Sequence, residues 1–147
     1  MSKIVGVCTS SRKGVPKKNI GKAYLEIGVG LKDDAHAGGG HREVSLLAKE
    51  SIDKMRKKGY VLSEGSFAEN LTTEGIDIKE LAVGTELRIG NEVELRITQI
   101  GKKCHIKCAI FKKMGDCIMP TEGVFAEVLK SGWVKTGDTI YNNGEKS

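Results

Sequence analysis

Residues 85–89 and 93–100 are two short stretches in which apolar and polar side chains alternate, and the pair Gly90-Asn91 stands between them. Leu87 and Ile89, then Val93, Leu95 and Ile97, occupy every second position. A period of two puts one face on a core and the other toward water, which a strand can do and a helix cannot. Gly-Asn tolerates the backbone of a tight turn, so the pair reads as a β-hairpin. Other segments extend this reading. Residues 3–8 are apolar and β-branched, Ala23, Leu25, Ile27 and Val29 alternate with Tyr24, Glu26 and Gly28, and residues 43–47 form a short apolar strand. Residues 133–141 read as a closing strand around a Gly137-Asp138 turn. The chain has 19 glycines and two prolines, where average usage of about 7% would give roughly ten glycines. Excess glycine fits many turns and close backbone approaches, as in a barrel of short strands.

Two segments read as helices. Over residues 48–58, Ala48, Ile52 and Met55 form an apolar stripe, with Glu50 and Asp53 early, Arg56, Lys57 and Lys58 late, and Gly59 as the stop. Those charges complement the helix dipole. Thr121 is placed to cap a second helix through Lys130, with Val124, Phe125, Val128 and Leu129 on its buried face and Gly132 after its end. Residues 9–18, 30–41 and 63–75 read as loops. The expected fold is mainly β (α+β), with a barrel-like core that removes exposed strand edges and about two to three peripheral helices. At 147 residues the chain matches a common domain size, so residues 1–147 are expected to form one domain.

Charge and composition narrow the function. The net charge of +5 comes from 24 basic and 19 acidic side chains, with lysines clustered at 12–18, 54–58, 102–107 and 112–113. Such runs are a solvated surface or a rim that attracts an anion: a phosphate, a pterin or nucleic acid. With three Tyr, three Phe and one Trp and no interleaving of basic and aromatic residues, nucleic-acid binding is not expected. No secretory signal is visible, and no run approaches the roughly eighteen apolar residues of a membrane span. A cytoplasmic location without membrane contact is expected, with Cys8, Cys104, Cys108 and Cys117 reduced.

Three constellations carry chemistry. In Cys104-His105-x-x-Cys108, followed by Cys117, thiolates are soft ligands and nucleophiles suited to molybdenum, zinc, copper or a transferable sulfur. Lys102, Lys103 and Lys107 would favour the anion. The spacing is not that of a zinc knuckle, and the cysteines also read as small buried hydrophobes. In residues 32–42, Asp33, Asp34, His36, His41 and Arg42 offer a metal or acid–base group, or only loop polarity. In residues 65–75, Asn70, Thr72 and Thr73 offer hydrogen bonds to an anionic or heterocyclic ligand, or satisfy their own loop.

Taken in order, residues 30–38 (GLKDDAHAG), 44–47 (VSLL), 65–75 (GSFAENLTTEG), 83–90 (VGTELRIG) and 101–105 (GKKCH) resemble a MOSC domain, the molybdenum-cofactor sulfurase C-terminal domain. Residues 117–125 (CIMPTEGVF) and 132–140 (GWVKTGDTI) continue the likeness over about residues 3–142. The chain is similar to small members without a pyridoxal-phosphate sulfurase domain. The resemblance implies a barrel-like β fold and a role with the molybdenum cofactor (molybdopterin) or activated sulfur. It implies Cys104 as molybdenum ligand or persulfide carrier, with Cys108 as second choice for the metal. Arg42, Lys102 and Lys103 would face the pterin phosphate, Asn70, Thr72 and Thr73 would orient the pterin, and His36 and Asp34 would shape the pocket or move protons. The chain would act as a sulfur carrier or transferase, or as a molybdoenzyme component, with the cofactor's biosynthetic or acceptor enzymes as partners. A reductase of N-hydroxylated compounds would need a separate redox partner, since no flavin, haem or iron–sulfur motif is present. A non-catalytic module with structural or zinc-binding cysteines is the third class.

Overall fold

The computed structural model describes residues 2–10, 17–32, 34, 43–60, 62–67, 69–101 and 122–142. Eleven strands account for about half of them: β1 (Lys3–Thr9), β2 (Lys18–Asn19), β3 (Lys22–Glu26), β4 (Gly30–Leu31), β5 (Val44–Ala48), β6 (Leu71–Glu74), β7 (Glu86–Ile89), β8 (Val93–Ile100), β9 (Val124–Lys130), β10 (Gly132–Lys135) and β11 (Ile140–Asn142). One α-helix, α1 (Lys49–Arg56), and a short 3-10 turn at Ile78–Glu80 complete the described elements.

An eight-stranded sheet runs in the order β11-β7-β8-β9-β5-β6-β1-β2, and a second sheet runs β10-β3-β4. Every pairing is antiparallel except β5 with β6. A parallel pair cannot be joined by a tight turn and needs a crossover. The chain between β5 and β6 contains α1, which is why a chain made mostly of strands carries a helix there.

The core follows from strand alternation. Leu25, Leu31 and Val134 of the small sheet pack with Val44, Leu46, Leu71, Leu95, Val124 and Ala126 of the large one. On the other face of β5 and β9, α1 brings Ile52 and Met55 against Leu47, Phe67 and Phe125. The layers are therefore small sheet, large sheet and helix, with β5 and β9 covered on both faces.

The hairpin forms with the expected in–out pattern, Leu87 opposite Leu95 and Ile89 opposite Val93. Its connection includes Glu92 as well as Gly90 and Asn91, and Gly90 takes φ +62. Four expectations are corrected. The segment read as a helix from Thr121 is strand β9, inserted between β5 and β8. Because both faces of β9 are buried, Val124, Phe125, Ala126 and Val128 form a nearly continuous apolar run, and that pattern does not separate a buried strand from a helix. One α-helix, not two or three, is present among the described residues. The barrel is not closed. β1 and the chain entering β11, toward opposite ends of the large sheet, meet at the isolated bridge Lys3–Thr139 and the bonds Ile4 N–H to Asp138 O (2.8 Å), Gly137 N–H to Ile4 O (2.7 Å) and Ile140 N–H to Ser2 O (2.9 Å). A turn at residues 136–137 prevents the ladder from running on. For the same reason residues 133–141 are not one strand: β10 pairs with β3 and β11 with β7.

Phe125→Ala empties the centre of the helix-side core. It is expected to lower unfolding free energy by about 3–5 kcal/mol in urea titration, with a smaller effect only if α1 collapses onto β9.

Candidate functional site

Several of the polar residues that the fold buries, Lys17, Asp34, Glu69 and Asn70 among them, gather toward the C-terminal end of β1. Asp34 accepts four hydrogen bonds from three donors there: the Thr9 hydroxyl (3.0 Å), the Ser10 N–H (3.0 Å) and Lys17 Nζ on both oxygens (2.7 and 3.0 Å). The Lys17 and Asp34 side chains are 0% and 1% exposed. Lys17 Nζ also reaches Ser10 Oγ (3.2 Å). A buried ion pair offsets its desolvation only when further hydrogen bonds satisfy both partners, and here they do. The pair fastens the segment leaving β4 to the end of β1.

On the other side of β1, Glu69 is fully buried. Its carboxylate accepts the Gly65 N–H (2.9 Å), the Phe67 N–H (3.2 Å) and the Thr72 hydroxyl (2.6 Å), so one side chain shapes the whole turn before β6. Burial nonetheless pushes the Glu69 carboxyl above the usual carboxylate range, outweighing these bonds. Gly65 has φ +89, and a Cβ there would collide with the Lys17 carbonyl; the Lys17 N–H in turn donates to Gly65 O (2.7 Å). Only glycine permits that approach, and it joins the Glu69 turn to the Lys17–Asp34 pair.

Asn70, also fully buried, ties three strands together. Its Oδ1 accepts from Ser45 N–H (3.0 Å) and the Ser45 hydroxyl (3.1 Å), and its Nδ2 donates to Cys8 O (3.2 Å). Its main chain exchanges further bonds with Ser45 and Cys8.

Cys8 lies between these groups. Burial first, and the Glu69 carboxylate second, push its thiol up to about 12. At neutral pH it stays protonated, and a protonated thiol is neither a nucleophile nor a good metal ligand.

The expected site residues fall as follows. Asp34 is in the ion pair. Asn70 and Thr72 are bonded within the frame. Thr73 is adjacent to Thr72 on a strand and so projects to the opposite face, where its hydroxyl is buried without a hydrogen-bond partner among the described residues; the two threonine hydroxyls are not brought together. His36, Arg42, Lys102, Lys103, Cys104 and Cys108 lie outside the described residues, as do Asp33, His41 and Cys117. Among the described residues no group of three or more His, Cys, Asp or Glu is placed to hold a metal. Cys8, buried and protonated, does not fit the role of a soft metal donor. Sequence reasoning missed Lys17, which looked like one of a run of surface lysines, and Glu69, whose only signal was a carboxylate inside a glycine-bounded turn.

Two open clefts flank this region. One, of about 550 Å³, lies beside α1 and β6; its charges pair with each other or with the backbone, Lys54 with Glu122 (2.7 Å), Lys79 with Asp77 (2.8 Å) and Glu50 with Gly75 N–H (2.9 Å). The other, of about 520 Å³, opens beside Thr9 and Trp133. No helix among the described residues is long and apolar enough to cross a membrane.

A family model described as MOSC domain matches residues 33–141. No curated protein matches the chain at a significant level. Among solved structures, the chain is similar to the YUAD protein from Bacillus subtilis, with TM-score 0.77 and 17% identity over 95% of this chain and 94% of that one. It is also similar to YiiM from Geobacillus stearothermophilus, with TM-score 0.74 and 17% identity over 97% and 75%. YiiM from Escherichia coli follows with TM-score 0.71 and 18% identity over 100% and 72%. At such identities the likeness is one of fold.

Lys17→Met leaves Asp34 buried and unpaired, and should lower stability by about 3–5 kcal/mol in urea unfolding. Lys17→Met with Asp34→Leu should recover most of that loss. For Glu69 the folded pKa is raised, so the folded chain keeps a proton that the unfolded chain has released. Its contribution is complete below the ordinary carboxylate pKa and is lost as pH rises through the folded value. Unfolding free energy measured across that window should fall with pH, and Glu69→Gln should remove the slope.

Proposed function

The chain belongs to the MOSC domain family, which is associated with the molybdenum cofactor, and on that footing we propose that it binds this cofactor or carries sulfur for it through Cys104. What carries the reading is the family match over residues 33–141, which takes in the cysteine segment between the central strands β8 and β9. The donor set supports it as well: a thiolate suits molybdenum and equally suits a sulfane sulfur.

When bound, the cofactor supplies a redox-active metal. The chain's own part is to hold and orient it. Cys104 presents the thiolate, with Cys108 as the alternative, and Arg42, Lys102 and Lys103 supply positive charge for the pterin phosphate. Asp34 and His36 are two residues apart, so fastening Asp34 to Lys17 fixes where the chain toward His36 begins. In this reading Asn70 and Thr72 act as positioning residues, and Thr73 keeps a hydroxyl in reserve on the core face. In the sulfur-carrying form of the reading, the Cys104 thiolate attacks the terminal sulfur of a persulfide or polysulfide donor. A new S–S bond forms on Cys104, the donor's S–S bond breaks, and a persulfide donor leaves as its thiolate, a polysulfide donor as a polysulfide one sulfur shorter. The cofactor's biosynthetic or acceptor enzymes are the partners this chemistry calls for, in a cytoplasmic, reducing setting and with residues 1–147 acting as one domain.

The test is metal, pterin and sulfane-sulfur content of the protein purified anaerobically from a host that makes the cofactor, beside Cys104→Ala. Molybdenum or sulfane sulfur near one per chain in the native protein, and at least tenfold less in the variant, is the expected result. Equal content in both would remove Cys104 from the role. Zinc near one per chain in its place would favour a structural cysteine module.

A further inference from the structure

The cleft beside Trp133 brings together aromatic and basic residues that are scattered in the sequence. Trp133 is the chain's one tryptophan. It sits on β10 opposite Tyr24 of β3, with Val134 turned into the core and the indole 59% exposed. Tyr24 meets it edge-to-face, ring centroids 5.6 Å apart at 74°, which fixes the indole's orientation. Ile20, 47% exposed, adds apolar wall. Lys22 Nζ stands 5.8 Å from the indole centroid, and Lys32 lines the same cleft of about 520 Å³. Neither lysine has a carboxylate partner among the described residues. The floor includes Thr9, whose hydroxyl is held by Asp34 at 3.0 Å, so the cleft is anchored to the buried ion pair.

An outward tryptophan beside an exposed isoleucine, rimmed by cations that have no carboxylate partner among the described residues, is not explained by folding, because each is left in water. Aromatic faces stack on planar rings regardless of their identity, cations near an indole add to that attraction, and free lysines recognise a phosphate as a point charge. We propose that this cleft binds a planar heteroaromatic ring carrying a phosphate, the ring on Trp133 and the phosphate between Lys22 and Lys32. Nucleotides and phosphorylated pterins share that chemistry. The proposal does not rest on the role given to Cys104.

Titration of the protein with AMP and, in a second arm, neopterin phosphate tests this, read by Trp133 emission and by the amide NMR shifts of Tyr24 and Lys32. Saturable quenching with shifts at those amides is expected for at least one arm, and the tighter arm names the source. Adenosine or neopterin should bind more weakly than its phosphate. Trp133→Ala, followed by NMR alone, should weaken binding about tenfold while leaving the other amide signals in place. Lys22→Ala with Lys32→Ala should abolish the preference for the phosphorylated form. Cys104→Ala should bind as the native chain does, which separates failure here from failure of the thiol reading. No response to either ligand into the millimolar range, equal binding of inorganic phosphate alone, or a dimer that covers Trp133 in sedimentation would overturn the proposal.

Discussion

The structure turns on how β1, β5 and β6 are held together where side chains on the helix side become polar. Asn70 sits at the head of β6 with no exposure, and its amide and main chain bond to both Ser45 and Cys8. A buried amide is tolerable only when its donors and acceptors are used, so the residue acts as a register pin. A slip of one residue in any of the three strands would strand its amide and turn every side chain of that strand to the wrong face. The parallel pairing of β5 with β6 depends on this pin, and the placement of α1 depends on that pairing. The burial of β9 between β5 and β8 follows in turn.

Much of this was legible in the sequence where a segment has one wet face. β7 and β8 show alternation because their polar residues look outward, and α1 was legible from its stripe and its charges. The same logic explains the failures. β9 has no wet face, so its apolar run lost the period of two, and Thr121 with Gly132 looked like helix caps. β6 lay hidden inside residues 63–75 because Leu71, Thr72, Thr73 and Glu74 are mostly polar by type, although the first three are buried. The openness of the barrel depends on one turn near Gly137, a tertiary fact with no local signature.

The site was legible as residue types and not as roles. Asp34, Asn70 and Thr72 stood out because polar residues among glycines invite a ligand. The structure shows them bonded to partners far away in sequence: Lys17, Ser45, Cys8 and Glu69. No spacing rule reveals such partners. Lys17 in particular is a basic residue in a basic run, and only its burial against Asp34 separates it from its neighbours. The Trp133 cleft was illegible for a related reason. Its aromatic and basic members come from β3, β10 and the residues beside them, so their interleaving exists in space and is absent from the chain.

The buried charges deserve a physical reading of their own, because well-packed apolar residues of similar volume often hold a fold as well as an ion pair does. What the Lys17–Asp34 pair and Glu69 supply is direction. Each charge demands particular donors at particular distances, so the end of β1, the segment after β4 and the turn before β6 are fixed against one another. Apolar packing constrains such irregular segments less, since it accepts many arrangements of similar energy. The same burial also removes Cys8 from chemistry: the desolvation that rigidifies the frame, with Glu69 beside it, keeps that thiol protonated. A frame built this way can hold one cysteine inert inside it, so the thiol chemistry proposed for this chain falls to Cys104 or Cys108, in a segment whose sequence also carries Lys102, Lys103 and Lys107. The silence of Cys8 follows from dielectric and charge alone, before any cofactor is considered.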